Sequence, residues 1–268
     1  MTHPMGSAVQ AGNQLEIQDV VLAFGGNEVL SGVSFGVPRG SVFGIVGPNG
    51  AGKTSLLNCI NGFYHPKRGS IAFEGQPITG LRPAAIARKG IARTFQNVEL
   101  FREASALDNI MLGRDLHMRT NIFSAALYWG PARREEIANR LAAERVIEFL
   151  EIEAFRKRPV ATLSWGQQKL VEIGRALATE PRMLLLDEPT SGMNREEKED
   201  VARFIMRMKH EMGMTQVLIE HDIRFVSDLC DHIVVLDFGE LIASGSPHDV
   251  WTDPRVIEAY VGDMSSTP

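Results

Sequence analysis

Cysteine is almost absent from this chain of 268 residues: Cys59 and Cys230 fall in different expected elements and at no metal-ligand spacing. That excludes a disulfide framework and a cysteine-ligated zinc site, and a reduced, cytosolic setting is the simplest one. Long apolar runs are missing as well. Uncharged stretches such as Thr54–Pro66 run to 15 residues at most, short of the ~20 that a spanning helix needs. Any membrane work is therefore expected to go through a partner. Basic residues are not in excess, with 28 Lys and Arg against 33 Asp and Glu and a formal charge of −5. No nucleic-acid partner is expected, because such a partner calls for a concentrated basic face. Met1–Gln14 has no apolar core behind positive charge and reads as a disordered lead-in, not a signal peptide. Repeats and low-complexity tracts are also missing.

What is present is apolar residue in quantity, 44% of the chain, enough for the core of one large or two modest globular domains. From Leu15 to Gly40 apolar residues alternate with turn residues, which predicts antiparallel strands joined by tight turns. Ser41–Val46 is a short apolar run entering a glycine-rich turn, and a helix is expected over Lys53–Phe63. Ser70–Phe73 and Ile91–Phe95 add short strands. From about Leu100 to Pro159 the chain turns helical by period, with Ala138, Leu141, Ala142, Val146, Phe149 and Leu150 on one apolar face. Beyond it, the apolar strands Met183–Leu186, Gln216–Ile219 and Ile233–Leu236 alternate with helical segments. One of these carries Val201, Phe204, Ile205, Met208 and Met212 at helix spacing. Strand–helix alternation implies a mostly parallel sheet with helices on its faces.

Gly47, Pro48, Asn49, Gly50, Ala51, Gly52, Lys53 and Thr54 follow the pattern of a phosphate loop, and Ser55 continues it. The pattern lies after a strand and before a helix, where such a loop has to sit. Glycines let successive backbone N–H groups curl into one concavity that takes phosphate oxygens, and the helix start adds its positive dipole end. Lys53 can reach the β- and γ-phosphates, and the Thr54 hydroxyl can coordinate Mg²⁺. A glycine turn with an incidental lysine is the bland alternative, but by composition it arises in on the order of one such chain in a hundred. Leu184–Glu188 is an apolar strand ending in two carboxylates, at the end of a parallel strand where ligands bind. Asp187 would hold Mg²⁺ and Glu188 would polarise the attacking water. Acidic residues commonly follow strands, so the phosphate loop upstream is what gives the pair its meaning. Leu163–Gln168 opens a helix that carries Leu170, Val171, Ile173, Ala176 and Leu177. Taken alone, Ser164 and Gly166 there also suit a plain helix cap.

Taken in order, the phosphate loop, Gln96 after a strand, Leu163–Gln167, the strand ending in Asp187 and Glu188, and His221 after a strand resemble the ABC-transporter ATPase family. The resemblance runs from about Leu15 to Gly262. It implies an α/β P-loop NTPase core with a mostly parallel sheet, an antiparallel β subdomain and a helical subdomain carrying the signature motif. The ATPase domain would span residues 15–262, with the helical part at about 100–180 and a short tail at 263–268. ATP and Mg²⁺ are implied, with two ATPase subunits packed head to tail around two nucleotides. Each ATP would lie on the Gly47–Ser55 loop of one subunit and under the signature helix of the other, where Ser164, Gly166 and Gln167 bind its γ-phosphate. Thr54, Asp187 and Gln96 would hold the metal. Gln96 would also touch the water and link to a permease. Glu188 and His221 would act on the γ-phosphate, and Phe24 would stack on adenine, although a lone aromatic at a strand end also suits a core.

Two departures from the common pattern stand out: Trp165 within the signature, and Ser191-Gly-Met-Asn194 after the carboxylate pair. Both are similar to the subfamily for branched-chain amino-acid uptake. So are Ile219–Ile223, Val235–Pro247, the closing Asp253-Pro and Glu258-Ala-Tyr-Val-Gly262, and the insertion containing Asn121–Trp129. The expected function is the ATP-hydrolysing subunit of an ABC importer for branched-chain or other hydrophobic amino acids, or related amides. Its partners would be integral-membrane permease subunits, a second ABC ATPase identical or different, and indirectly an extracytoplasmic solute-binding protein. The expected location is peripheral, on the cytoplasmic face of the inner membrane. Residues such as Phe123 and Tyr128 in the insertion would either pack in the helical subdomain or face the permease. The rival readings are a lipid or lipopolysaccharide exporter ATPase and a soluble, non-transport ABC ATPase. The sequence has no paired cassette, zinc or coiled-coil insertion to favour the latter.

Overall fold

A computed structural model describes residues 12–94, 99–117 and 131–265. Most of the lead-in, Gln96 and the Asn121–Trp129 insertion lie outside the described residues. Two twelve-residue strands, β1 (Asn13–Phe24) and β2 (Asn27–Pro38), pair across Gly25-Gly26, the two-residue glycine turn that suits strand twist. β1 takes in the last two residues of the expected lead-in because Gln14 is held inside. Its side-chain amide donates to Glu74, and its carbonyl accepts the Thr215 hydroxyl. β4 (Arg68–Phe73) and β5 (Gln76–Pro77) extend this antiparallel sheet in the order β2-β1-β4-β5.

A second sheet begins with β3 (Val42–Val46). Parallel to it run β6 (Ile91–Arg93), β7 (Met183–Asp187), β8 (Thr215–Ile219) and β9 (His232–Asp237), while β10 (Glu240–Gly245) closes one edge antiparallel. Among the described residues its order is β10-β9-β3-β8-β7-β6. Every residue of β3, β7 and β8 is buried, as unbroken apolar runs covered on both faces require. Alternation along the strands divides the core. Phe43, Ile45, Leu185, Val217 and Ile219 pack with the hairpin sheet and α1 (Lys53–Ile60); Val42, Val46, Leu184, Leu186 and Leu218 pack with the remaining helices.

Those helices are α2 (Pro83–Arg88), on the α1 side, and then α3 (Ala106–Leu112), α4 (Pro131–Phe149), α5 (Trp165–Leu177), α6 (Arg195–Met212), α7 (Ile223–Leu229), α8 (Pro247–Trp251) and α9 (Pro254–Ser265). Among the described residues none is long and apolar enough to cross a membrane. The apolar face expected for α4 is turned. Asn139, Ala142, Ala143, Ile147 and Leu150 are buried, whereas Ala138 and Leu141 are exposed. Ala143 and Ile147 join the core with α3, and the Asn139 carbonyl accepts from the buried Arg114 at 3.2 Å. That bond lets a polar residue face inward. α6 buries Val201, Phe204, Ile205 and Met208 as its spacing predicts, but Met212 in its last turn is half exposed. Cys59 and Cys230 are buried and unpaired.

Candidate functional site

Three of the segments singled out for chemistry leave neighbouring parallel strands at one edge of the sheet. β8 lies between β3 and β7, and the register sets Ile45, Ile219 and Asp187 side by side. The glycine-rich loop starts two residues beyond that line on β3. Glu188 follows it by one residue on β7, and His221 by two on β8. Gly47 has φ 149°, and a Cβ there would sit 2.0 Å from the Leu236 carbonyl oxygen. Gly52, at φ 98°, starts α1 in the left-handed region, so glycine is the residue that fits both places without strain. The Ala51 carbonyl accepts the Gly239 N–H at 3.1 Å, which fixes the loop to the β9–β10 turn.

Lys53 is only 6% exposed, and its ammonium donates to the carbonyls of Gly47 and Pro48 at 2.7 and 2.8 Å. Asn49, Gly50 and Thr54 are exposed, with Ser55 half-buried behind them. Asp187 is buried. Its Oδ2 accepts from Arg93 Nη2 at 2.7 Å, while among the described residues Oδ1 has no hydrogen-bond partner. A buried carboxylate oxygen left bare is costly unless a donor or cation meets it. With the exposed Thr54 hydroxyl, that oxygen fits Mg²⁺, which takes few protein ligands and fills its shell from water and phosphate. Among the described residues no group of three or more His, Cys, Asp and Glu could hold a metal ion alone. A shared site of this kind needs no such cage.

Glu188 adopts φ 48°, a backbone state that side chains rarely take and that clusters at functional sites. Its N–H donates to the Ile219 carbonyl at 3.0 Å, and its Oε1 meets His221 Nε2 at 2.8 Å. An ionised carboxylate only accepts, so Nε2 carries the hydrogen. Glu220, buried next to His221, accepts the Thr190 N–H and hydroxyl at 2.8 and 2.6 Å and so fixes the turn after Glu188. Ser164 caps α5 in a capping box with Gln167, whose side chain accepts the Ser164 N–H at 3.1 Å. Among the described residues no hydrogen bond joins Ser164, Gly166 or Gln167 to the loop of residues 47–55. Trp165 Nε1 instead donates to the Ser191 carbonyl at 2.8 Å.

Residues 30–191 of this chain match the ABC transporter family. The chain belongs to that family. Residues 240–264 also match the family described as branched-chain amino acid ATP-binding cassette transporter. The chain is 42% identical over 250 residues to the high-affinity branched-chain amino acid transport ATP-binding protein BraF of Pseudomonas aeruginosa, covering 93% of this chain and 98% of that protein. It is 36% identical over 255 residues to a probable branched-chain amino acid transport ATP-binding protein LivG of Methanocaldococcus jannaschii, covering 93% and 97%. A solved ATP-binding cassette of an ABC transporter in its ADP conformation superposes with a TM-score of 0.82 at 35% identity, covering 93% of this chain and 99% of that one. A nucleotide-free ATP-binding cassette gives 0.81 at 34% identity, covering 92% and 98%.

In this ABC ATPase the fold brings together the loop of residues 47–55, Asp187, Glu188 and His221. Gln96 lies outside the described residues. Phe24 is 47% exposed, its ring edge-on to Tyr64 with centroids 5.0 Å apart, so it takes no place in the core. Sequence reasoning missed Arg93, whose other terminal nitrogen donates to the Asn58 side chain on α1 at 2.6 Å. One guanidinium thus ties β6, β7 and α1 together. Its only signal was a cation at the end of a short apolar strand. It also missed the buried Lys169–Glu172 pair on α5, 3.0 Å apart. Tyr260 on α9 packs edge-on against Trp251, and burial pushes its phenol up to about 12 despite the opposing pull of the Gly47 backbone.

Proposed function

We propose that this ABC ATPase binds ATP on the Gly47–Ser55 loop, hydrolyses it with Glu188, and so drives solute uptake through integral-membrane permease subunits. The observation that carries this reading is the common edge from which the loop, the carboxylate pair and His221 emerge on three adjacent parallel strands. Lys53 would exchange its two loop carbonyls for the β- and γ-phosphates, a stronger, charge-assisted pairing. Asp187, Thr54 and Gln96 would hold Mg²⁺, which when bound neutralises charge on the phosphate oxygens. Glu188 would take a proton from the attacking water, with His221 orienting its carboxylate and reaching the γ-phosphate. Phe24 would offer its exposed ring to adenine.

In the working assembly a second ABC ATPase, identical or a sister, would cover the nucleotide with Ser164, Gly166 and Gln167. Before the partner's nucleotide arrives, both the Gln167 side-chain carbonyl and its N–H serve the helix cap. The similarity to BraF and the match over residues 240–264 support a branched-chain or other hydrophobic amino acid as solute, delivered by an extracytoplasmic binding protein. The cassette would sit peripherally on the cytoplasmic face of the inner membrane. The test is co-expression with branched-chain amino-acid permease and binding-protein genes of the same genome, purification of the complex, and ATP-dependent uptake of labelled leucine into proteoliposomes. Uptake that is lost in Glu188→Gln is expected. A chain that hydrolyses ATP but neither copurifies with the permease nor supports uptake would overturn the transport reading.

A further inference from the structure

Glu197 belongs to none of the motifs above, yet two of them meet through it. At the third position of α6 it closes a capping box with Asn194: the Asn194 side chain accepts the Glu197 N–H at 3.0 Å, and Glu197 Oε2 accepts the Asn194 N–H at 3.2 Å. Its second oxygen points away from α6. Oε1 accepts the Gly166 N–H at 3.2 Å and the Ser164 hydroxyl at 3.3 Å. A Cβ on Gly166 would lie 2.5 Å from that oxygen, so the carboxylate nests where only glycine leaves room. One side chain therefore serves the amino ends of a 13-residue and an 18-residue helix, both of which present the positive end of a dipole to an anion.

The donors that Oε1 takes up are two of the groups through which the signature end of α5 would bind the γ-phosphate of a partner's nucleotide. Gly166 has a single N–H, so carboxylate and phosphate compete for it. The same helix end is tied by Trp165 to the Ser191 carbonyl, and the Ser191 N–H donates to the Glu188 carbonyl at 3.2 Å. We propose that Glu197 is a resident anion at the signature end of α5, displaced by the γ-phosphate of the partner's ATP when the two ATPase subunits close. Its capping bond through Oε2 persists, while the Trp165–Ser191 link carries any movement of the helix end to the segment that begins at Glu188. The unusual Trp165 and Asn194 are thereby two anchors of one intrachain clasp.

This inference rests on the sandwiched-dimer reading above. In a Glu188→Gln background, where slow hydrolysis leaves the dimer closed, the ATP concentration for half-maximal dimerisation is read by sedimentation velocity, with the sister ATPase present if one copurifies. Gln can fill the third position of a capping box, so Glu197→Gln keeps the cap and removes the charge. Its dimerisation midpoint should fall roughly fivefold, because a neutral acceptor competes less well than a carboxylate. The affinity of the undimerised chain for a fluorescent ATP analogue and the melting temperature should stay unchanged. Glu197→Asp keeps charge and cap, as Asp108 does for Ser105 in α3, but shortens the reach to Gly166, and it should also lower the midpoint. A midpoint that is unchanged or raised in both stably folded variants removes the displaced-anion role. If ATP drives no dimer even with Glu197 intact, the sandwich reading fails and takes this inference with it.

Discussion

At the end of β7 two adjacent carboxylates are held in different ways. Asp187 is buried against Arg93 with one oxygen bare, whereas Glu188 is turned by a positive φ toward His221. The first arrangement suits holding a cation, the second suits taking a proton. Replacing Glu188 with Gln keeps size and hydrogen bonding and removes the base. General-base assistance is typically worth ~10²–10⁴-fold, so single-turnover hydrolysis at the site built on Lys53 should fall by that order. Equilibrium nucleotide binding should stay within a few-fold of normal. A variant that hydrolyses at full rate would take Glu188 out of the mechanism. Both carboxylates were legible from the strand that precedes them, but Arg93 was not. Its partner lies 94 positions away, and no local pattern links them.

Among the elements, α7 shows how a short helix at the site is held. Its N-cap Asp222 accepts the Phe225 N–H at 3.2 Å and the Lys198 ammonium at 2.9 Å, and the Lys198 bond holds its carboxyl below the usual range. A carboxyl with a lowered folded-state pKa stabilises above its unfolded value, and that contribution is lost as pH falls through the folded value. Asp222→Ala should therefore cost about 0.5–1 kcal/mol at pH 7, a modest figure because the pair is partly screened by solvent. The difference should shrink toward about pH 2, well below the ordinary carboxylate range of about 4, as the folded carboxyl takes up its proton. Urea unfolding at the two pH values checks it, and an equal cost at both would remove the carboxylate's charge from the account. Helix positions such as Val201, Phe204 and Ile205 were readable from spacing alone. The inward face of α4 was not, because the Arg114 bond to Asn139 reverses what polarity suggests.

On the scale of the whole molecule, the six-stranded sheet divides the core, and the two thiols report on its two faces. Cys59 packs with the hairpin sheet and α1, Cys230 with the helices of the other face. Burial pushes their thiols up to about 11 and about 12. The thiolate is the reactive form, so at pH 8 both should react with a disulfide reagent at least ~100-fold more slowly than an exposed thiol. Two equivalents should be released only in denaturant. Rapid labelling of one thiol under native conditions would mean that its face of the sheet opens.

The sequence by itself determined the strands and helices, the phosphate loop, the carboxylate pair and the signature, because each is written in residues close together. Period 2 or 3.6 sets a face, glycines permit a curled loop, and a run of motifs in order names a family. Tertiary structure alone decided what stands beside what. The order β3-β8-β7 brings residues from three distant segments to one edge. The Arg93–Asp187 pair and the bond from Gly166 to Glu197, 31 positions on, likewise exist only once the sheet and helices have packed. The physical reason is that periodicity fixes which way a side chain points within its own element, while the partner it meets depends on long-range packing.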